Sequence, residues 1–189
     1  MQFMLLGKLF VQFRTLILCL AILSVWPVLA APAADPGGKV GKLPKEVVAN
    51  YQIRTLDGQT FSLGELRGKV VVLDFFAIWC GHSKHHVPTI TEYGEADRKQ
   101  GLQIIGLAVN DVESTPERVK KFLDEMKIEY PVGMIADPDF SRFVDSRDVS
   151  VPQTLVFARD GRLAAHLTGH DKATEKELAA VIHRELQKQ

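Results

Sequence analysis

Two apolar runs organise the chain. Residues 70–76, Val-Val-Val-Leu-Asp-Phe-Phe, and 102–109, Leu-Gln-Ile-Ile-Gly-Leu-Ala-Val, are apolar at nearly every position rather than at every second one. Strands of that kind are covered on both faces, as in a parallel sheet. A parallel pair needs a crossover, and the stretch from Cys80 towards Lys99 is long enough to supply it as a helix, so the pattern predicts a β-α-β unit. Upstream, residues 50–55 and 60–63 flank Asp57-Gly58, a turn signal for a hairpin. Downstream, Ser114-Thr115-Pro116-Glu117 predicts a helix start, with Ser114 and Glu117 as a capping box and Pro116 in the first turn. Val119, Phe122, Leu123 and Met126 then recur at helical spacing as a buried stripe. Residues 130–135 predict a short extended segment and 137–147 a short helix carrying Phe140, Phe143 and Val144. Strands at 155–158 and 162–167 flank the turn Asp160-Gly161. Thr174 with Glu177 opens a last helix whose inward face holds Leu178, Val181, Ile182 and Leu186.

The N-terminus changes the compartment. Residues 1–14 carry Lys8 and Arg14 and no acid, residues 15–26 are an apolar run, and Val28 and Ala30 are the small residues before a cut. This predicts a signal peptide over 1–30 and an exported, periplasmic or secreted protein. The alternative is an uncleaved membrane anchor, because Met1 to Phe13 is itself rather apolar; a lipoprotein reading of Cys19 is weaker, since Leu18 stands where a small residue is wanted. Residues 31–45, rich in Ala, Pro, Gly and Lys, predict a flexible leader, and 46–189 one domain with a sizeable core. The chain has 23 basic and 23 acidic residues; without Lys8 and Arg14 the balance is 21 against 23, and no basic patch points to nucleic acid. Once Cys19 leaves with the leader, Cys80 is the only thiol, and no intramolecular disulfide can form.

The candidate chemistry lies where the first apolar run ends and Cys80 opens a helix. Free backbone N–H groups and the positive end of the helix dipole favour a thiolate there, which makes Cys80 the candidate nucleophile. Asp74 stands six residues before Cys80, Trp79 immediately before it, Lys84 four after and Pro88 eight after. This pattern, with Leu66-Arg67-Gly68-Lys69 leading into the strand, resembles the thioredoxin fold in the form of the extracytoplasmic TlpA/ResA thiol-disulfide oxidoreductases. The resemblance implies an α/β protein with a central mixed β-sheet flanked by helices and an extra N-terminal β-hairpin. It also implies that Pro88 kinks the helix without ending it. Pro152 would be the cis-proline facing Cys80, and Trp79 and the Val151 backbone would contact an extended substrate segment. Asp74 would be the buried acid that assists proton transfer. Two residues depart from the pattern: Ser83 replaces the resolving cysteine, and His86 stands where those proteins usually carry glutamate.

In the dithiol relatives the first cysteine attacks a substrate disulfide and the second releases the product. Ser83 cannot form a sulfur–sulfur bond, so release must come from an external thiol such as glutathione or a partner protein. The expected partners are therefore protein thiols or disulfides or small thiols, with no resident cofactor. His82 occupies a position where DsbA-like proteins also carry histidine, and an imidazole there stabilises a thiolate. The alternatives are a redox-inactive binding module on the same fold, and copper or zinc held by Cys80, His82, His85 and His86. Helical spacing weakens the metal reading, because residues three or four apart share a face and these four do not all do so. Monothiol glutaredoxins resemble Cys80-Gly81-His82-Ser83 but fit an export signal poorly. Peroxiredoxins carry proline and threonine where Leu73 and Ala77 stand here.

Overall fold

The computed structural model describes residues 50–144 and 148–188, so the readings made for residues 1–45, Cys19 among them, lie outside the described residues. The run at 70–76 is the central strand β3 (Val70–Phe76) and is buried throughout. The hairpin before it is β1 (Gln52–Arg54) and β2 (Thr60–Ser62), paired antiparallel as a small separate sheet. After it come helix α1 (Gly81–Asp97), strand β4 (Leu102–Val109), helix α2 (Pro116–Met126), strand β5 (Val132–Ile135) and helix α3 (Asp137–Val144). Strands β6 (Gln153–Phe157) and β7 (Leu163–Thr168) and helix α4 (Lys172–Gln187) complete the order. The main sheet runs β5-β4-β3-β6-β7, parallel from β5 to β3 and antiparallel from β3 to β7. This is the mixed sheet with an added hairpin that the sequence resemblance implies.

Alternation along β3 assigns the two faces. Val70, Val72 and Phe76 pack with Val87 and Ile90 of α1, Val119 and Phe122 of α2, and Leu178 and Ile182 of α4. Val71, Leu73 and Phe75 pack on the other face with Phe140, Phe143 and Val144 of α3 and Ile53 of the hairpin. A side-chain period of two puts Asp74 on the first face, beneath α1 and α4. Asp74 pairs in register with Gly106 of β4 and Thr154 of β6. At Gly106 a Cβ would come within 2.9 Å of Tyr130 and Val132 side-chain atoms, so only glycine lets Tyr130 lie over the sheet at this level.

Two helix starts differ from expectation. Helix α2 is capped by Thr115, whose Oγ1 accepts the Arg118 N–H, and Pro116 takes the first helical position. Ser114 is buried instead. Helix α4 opens at Asp171, whose carboxylate accepts the Thr174 N–H, three residues earlier than Thr174 suggested. An aspartate caps as well as a threonine, and the capping-box spacing alone cannot choose between neighbouring candidates. Pro88 lies inside α1 without ending it. Among the described residues no helix is long and apolar enough to cross a membrane.

Candidate active site

Cys80 is the N-cap of α1 and is partly exposed. Its backbone N–H donates to the Ala77 carbonyl and its carbonyl accepts the Lys84 N–H, both at 3.1 Å, so the turn between β3 and α1 is closed around it. The thiol donates to the Val151 carbonyl at 3.3 Å, which brings the 151–152 loop against the sulfur. The Val151–Pro152 peptide bond is cis, and Pro152 is buried. Ser83 is fully buried, and its Oγ accepts the Ala77 N–H at 3.3 Å. Its hydroxyl thus satisfies an orphan amide at the strand end, a structural task that a resolving cysteine would perform less well.

Behind this turn lies the buried pair Asp74 and His86, at 0% and 1% side-chain exposure. His86 Nε2 is 3.2 Å from Asp74 Oδ1 and 3.0 Å from Thr154 Oγ1. The Asp74 contact has the distance of an ion pair without the alignment of a hydrogen bond, and both Asp74 oxygens lack a hydrogen-bond partner. Burial disfavours the imidazolium, but the Asp74 carboxylate outweighs it, and His86 is held above its ordinary value. Sequence reading singled out His86 as a departure; its partner His170, 84 residues away, carried no signal of its own.

The rim of the site is made of loops. Trp79 is 55% exposed, and its indole N–H donates to Asp111 at 2.6 Å. Asp111 also accepts the Glu113 and Ser114 N–H groups, each at 2.8 Å. Burial would raise the Asp111 carboxyl, but these donors hold it below the ordinary range. On the opposite side, the buried Gln153 amide donates to the Asp148 and Ser150 carbonyls, both at 2.8 Å, and its Oε1 lies 2.7 Å from His166 Nε2. Gln153 therefore clamps the backbone that carries Val151. Replacing Gln153 with leucine is expected to lower stability by about 1 kcal/mol, since the Asp148 and Ser150 carbonyls lose the donor that ties them to the buried Gln153. Urea denaturation checks this, and an unchanged midpoint would remove the clamp role.

The four residues considered for copper or zinc do not converge. His86 points inward while His82 and His85 are exposed, and among the described residues no three His, Cys, Asp or Glu side chains could hold a metal ion. Leu73 and Ala77 are both buried and supply no hydroxyl near Cys80.

A family model described as AhpC/TSA matches residues 44–166, well over half the chain. The chain belongs to the AhpC/TSA family. Within that frame it is 24% identical over 136 residues to the thiol-disulfide oxidoreductase ResA of Bacillus cereus, a match covering 71% of this chain and 74% of that protein. To ResA of Halalkalibacterium halodurans it is 28% identical over 126 residues, covering 66% and 68%. A thiol:disulfide interchange protein of the thioredoxin family from Chlorobium tepidum superposes with a TM-score of 0.62 at 24% identity, covering 72% of this chain and 92% of that one. The AhpC/TSA match and this superposition establish a thioredoxin-like fold. Fold leaves the reaction to be argued from the site residues.

Proposed function

We propose that the protein is an exported thiol-disulfide oxidoreductase that works through Cys80 alone, with its mixed disulfide resolved by an external thiol. The observation that carries this reading is the partly exposed Cys80 at a helix start, its sulfur set against the Val151 carbonyl, with the Ser83 hydroxyl turned into the core. In the first step the Cys80 thiolate attacks one sulfur of a disulfide; a bond to Cys80 forms, the original S–S bond breaks, and the departing thiolate takes a proton. In the second, a thiolate such as that of glutathione attacks the mixed disulfide and Cys80 leaves as thiolate, so no resident oxidant is needed. The names of the ResA relatives point the same way. Export rests on the signal-like leader at residues 1–30.

A protein substrate is favoured by the rim. Among the described residues the large exposed apolar side chains are Trp79, Val112 and Val149. Trp79 precedes Cys80, Val112 follows the Asp111 that holds Trp79, and Val149 lies two residues before Val151. All three thus belong to loops tied to the sulfur, where an extended partner segment would lie. The test is incubation of the full chain carrying Cys19→Ser with oxidised glutathione, followed by mass spectrometry. One adduct per chain, absent in a further Cys80→Ser variant and removed by reduced glutathione, is expected. If folded protein stays unmodified while unfolded protein reacts, the site is a binding surface without redox chemistry.

A further inference from the structure

Four polar side chains run in line from the sheet to the surface. Asp74 Oδ1 lies 3.2 Å from His86 Nε2, His86 Nδ1 lies 3.3 Å from His170 Nδ1, and His170 Nε2 lies 3.3 Å from Glu175 Oε1. Side-chain exposure rises along the line from 0% and 1% to 14% and then 34%. The middle gap has hydrogen-bond geometry; the outer two stand at ion-pair distance, and a small side-chain rotation at each aligns it for transfer. We propose that Asp74, His86, His170 and Glu175 form a proton path through which the buried carboxylate–imidazole pair exchanges its proton with solvent.

The two facing Nδ1 atoms can share only one hydrogen, and that restriction sets the protonation of the line. With His86 charged, its Nε2–H faces Asp74 and its Nδ1–H donates to His170, which is neutral and turns its Nε2–H towards Glu175. The electrostatics agree. Asp74 raises His86, whereas burial first and then the His86 charge push His170 below its ordinary value, against the pull of Glu175. When the shared hydrogen moves from His86 to His170 and His170 passes its Nε2 hydrogen to Glu175, one N–H bond breaks on His86 and one O–H bond forms at Glu175. One proton has moved outward, His170 is neutral again, and no electrons have been transferred.

The surroundings leave this line as the polar exit. On β6, Thr154 Oγ1 shares His86 Nε2. Just before β5, Tyr130 is buried with its phenol raised by burial and by Asp74. On α1, His82 and His85 act on His170 from the exposed side, the His85 ring stacking on it at 6.5 Å, and Tyr93 reaches the Glu175 backbone carbonyl. Ser83 precedes His86 by three residues and Cys80 precedes Ser83 by three, and Ser83 and His86 are both buried, so the path ends under the turn that carries the sulfur. Its use during exchange at Cys80 rests on the thiol-exchange reading; the path itself does not.

The test is a histidine-ring NMR titration of the full chain, comparing the Cys19→Ser protein with added His170→Leu or Glu175→Gln, both changes at the accessible end. Removing the acceptor of the Nδ1 hydrogen, or the distal negative charge, is expected to lower the His86 midpoint by roughly half a pH unit or more. The urea midpoint, measured well above the His86 titration where the raised value contributes nothing, should stay in place. A His86 midpoint unmoved in both folded variants overturns the path. Glutathione-adduct formation in the same samples separates the two readings. A moved midpoint without any adduct keeps the path and removes thiol exchange, and an adduct with an unmoved midpoint does the reverse.

Discussion

Replacing Ser83 with cysteine is expected to convert the site to an internally resolving dithiol. Residues three apart at a helix start have Cβ atoms about 5–6 Å apart. Cys80 sits at the N-cap in extended backbone rather than in the helix proper. A small shift therefore reaches the roughly 3.8 Å Cβ separation a disulfide needs. An intramolecular thiol acts at an effective concentration far above a millimolar external one, so the Cys80 glutathione adduct should shorten in lifetime by at least about a hundredfold. Thiol counting after mild oxidation should find both sulfurs consumed. The fold should lose about 1 kcal/mol, because sulfur is a poor replacement for the Ser83 oxygen that accepts the Ala77 N–H. An adduct as long-lived as before, with two thiols still free, would mean that position 83 faces away from the Cys80 sulfur.

The second large effect is expected at His86. A leucine there leaves Asp74 in the core without its countercharge, and breaking a buried pair by removing one partner costs about 3–5 kcal/mol. Changing Asp74 to leucine as well should recover most of the loss, which a double-mutant cycle would measure. The penalty depends on pH in a definite direction. His86 is held above its unfolded value of 6.5, so its contribution is complete below pH 6.5 and is lost as pH rises through the folded value. Urea unfolding across that interval should show the cost of His86→Leu shrinking as pH rises. A cost under about 1 kcal/mol throughout would show that Asp74 does not need the imidazole.

The parts of the fold legible in the sequence were those set by local pattern. Strands β3 and β4 match the two apolar runs end to end, because a strand covered on both faces leaves its own signature in composition. The Asp57-Gly58 hairpin and the two helices with apolar stripes followed from turn chemistry and period. Caps were less legible: Thr115 and Asp171 took roles assigned to Ser114 and Thr174, since adjacent polar residues compete on equal terms. The site divided in the same way. Cys80 and Ser83 were placed by spacing around one turn. Asp111 and His170 were not, because each acts on a site residue brought near only by the fold, as when Asp111 meets Trp79 across 32 residues and His170 meets His86 across 84. Gln153 holds Asp148 and Ser150, five and three residues away, through a side chain that no sequence pattern marked. Of Cys80, His82, His85 and His86, the four residues considered for a metal, the helical period sends His86 into the core and leaves His82 and His85 exposed, so they do not share one face.

The contact between the Cys80 sulfur and the Val151 carbonyl makes the substrate loop a sensor of the sulfur's charge. A thiol donates to that oxygen, but a thiolate has nothing to donate and repels it at 3.3 Å. Ionisation must therefore displace either the sulfur or the backbone at Val151. Gln153 holds the neighbouring Asp148 and Ser150 carbonyls, which concentrates the displacement between residues 150 and 153. The amide resonances of that short segment would then report thiolate formation directly, and a ligand taking the Val151 carbonyl would compete with the protein's own thiol for it.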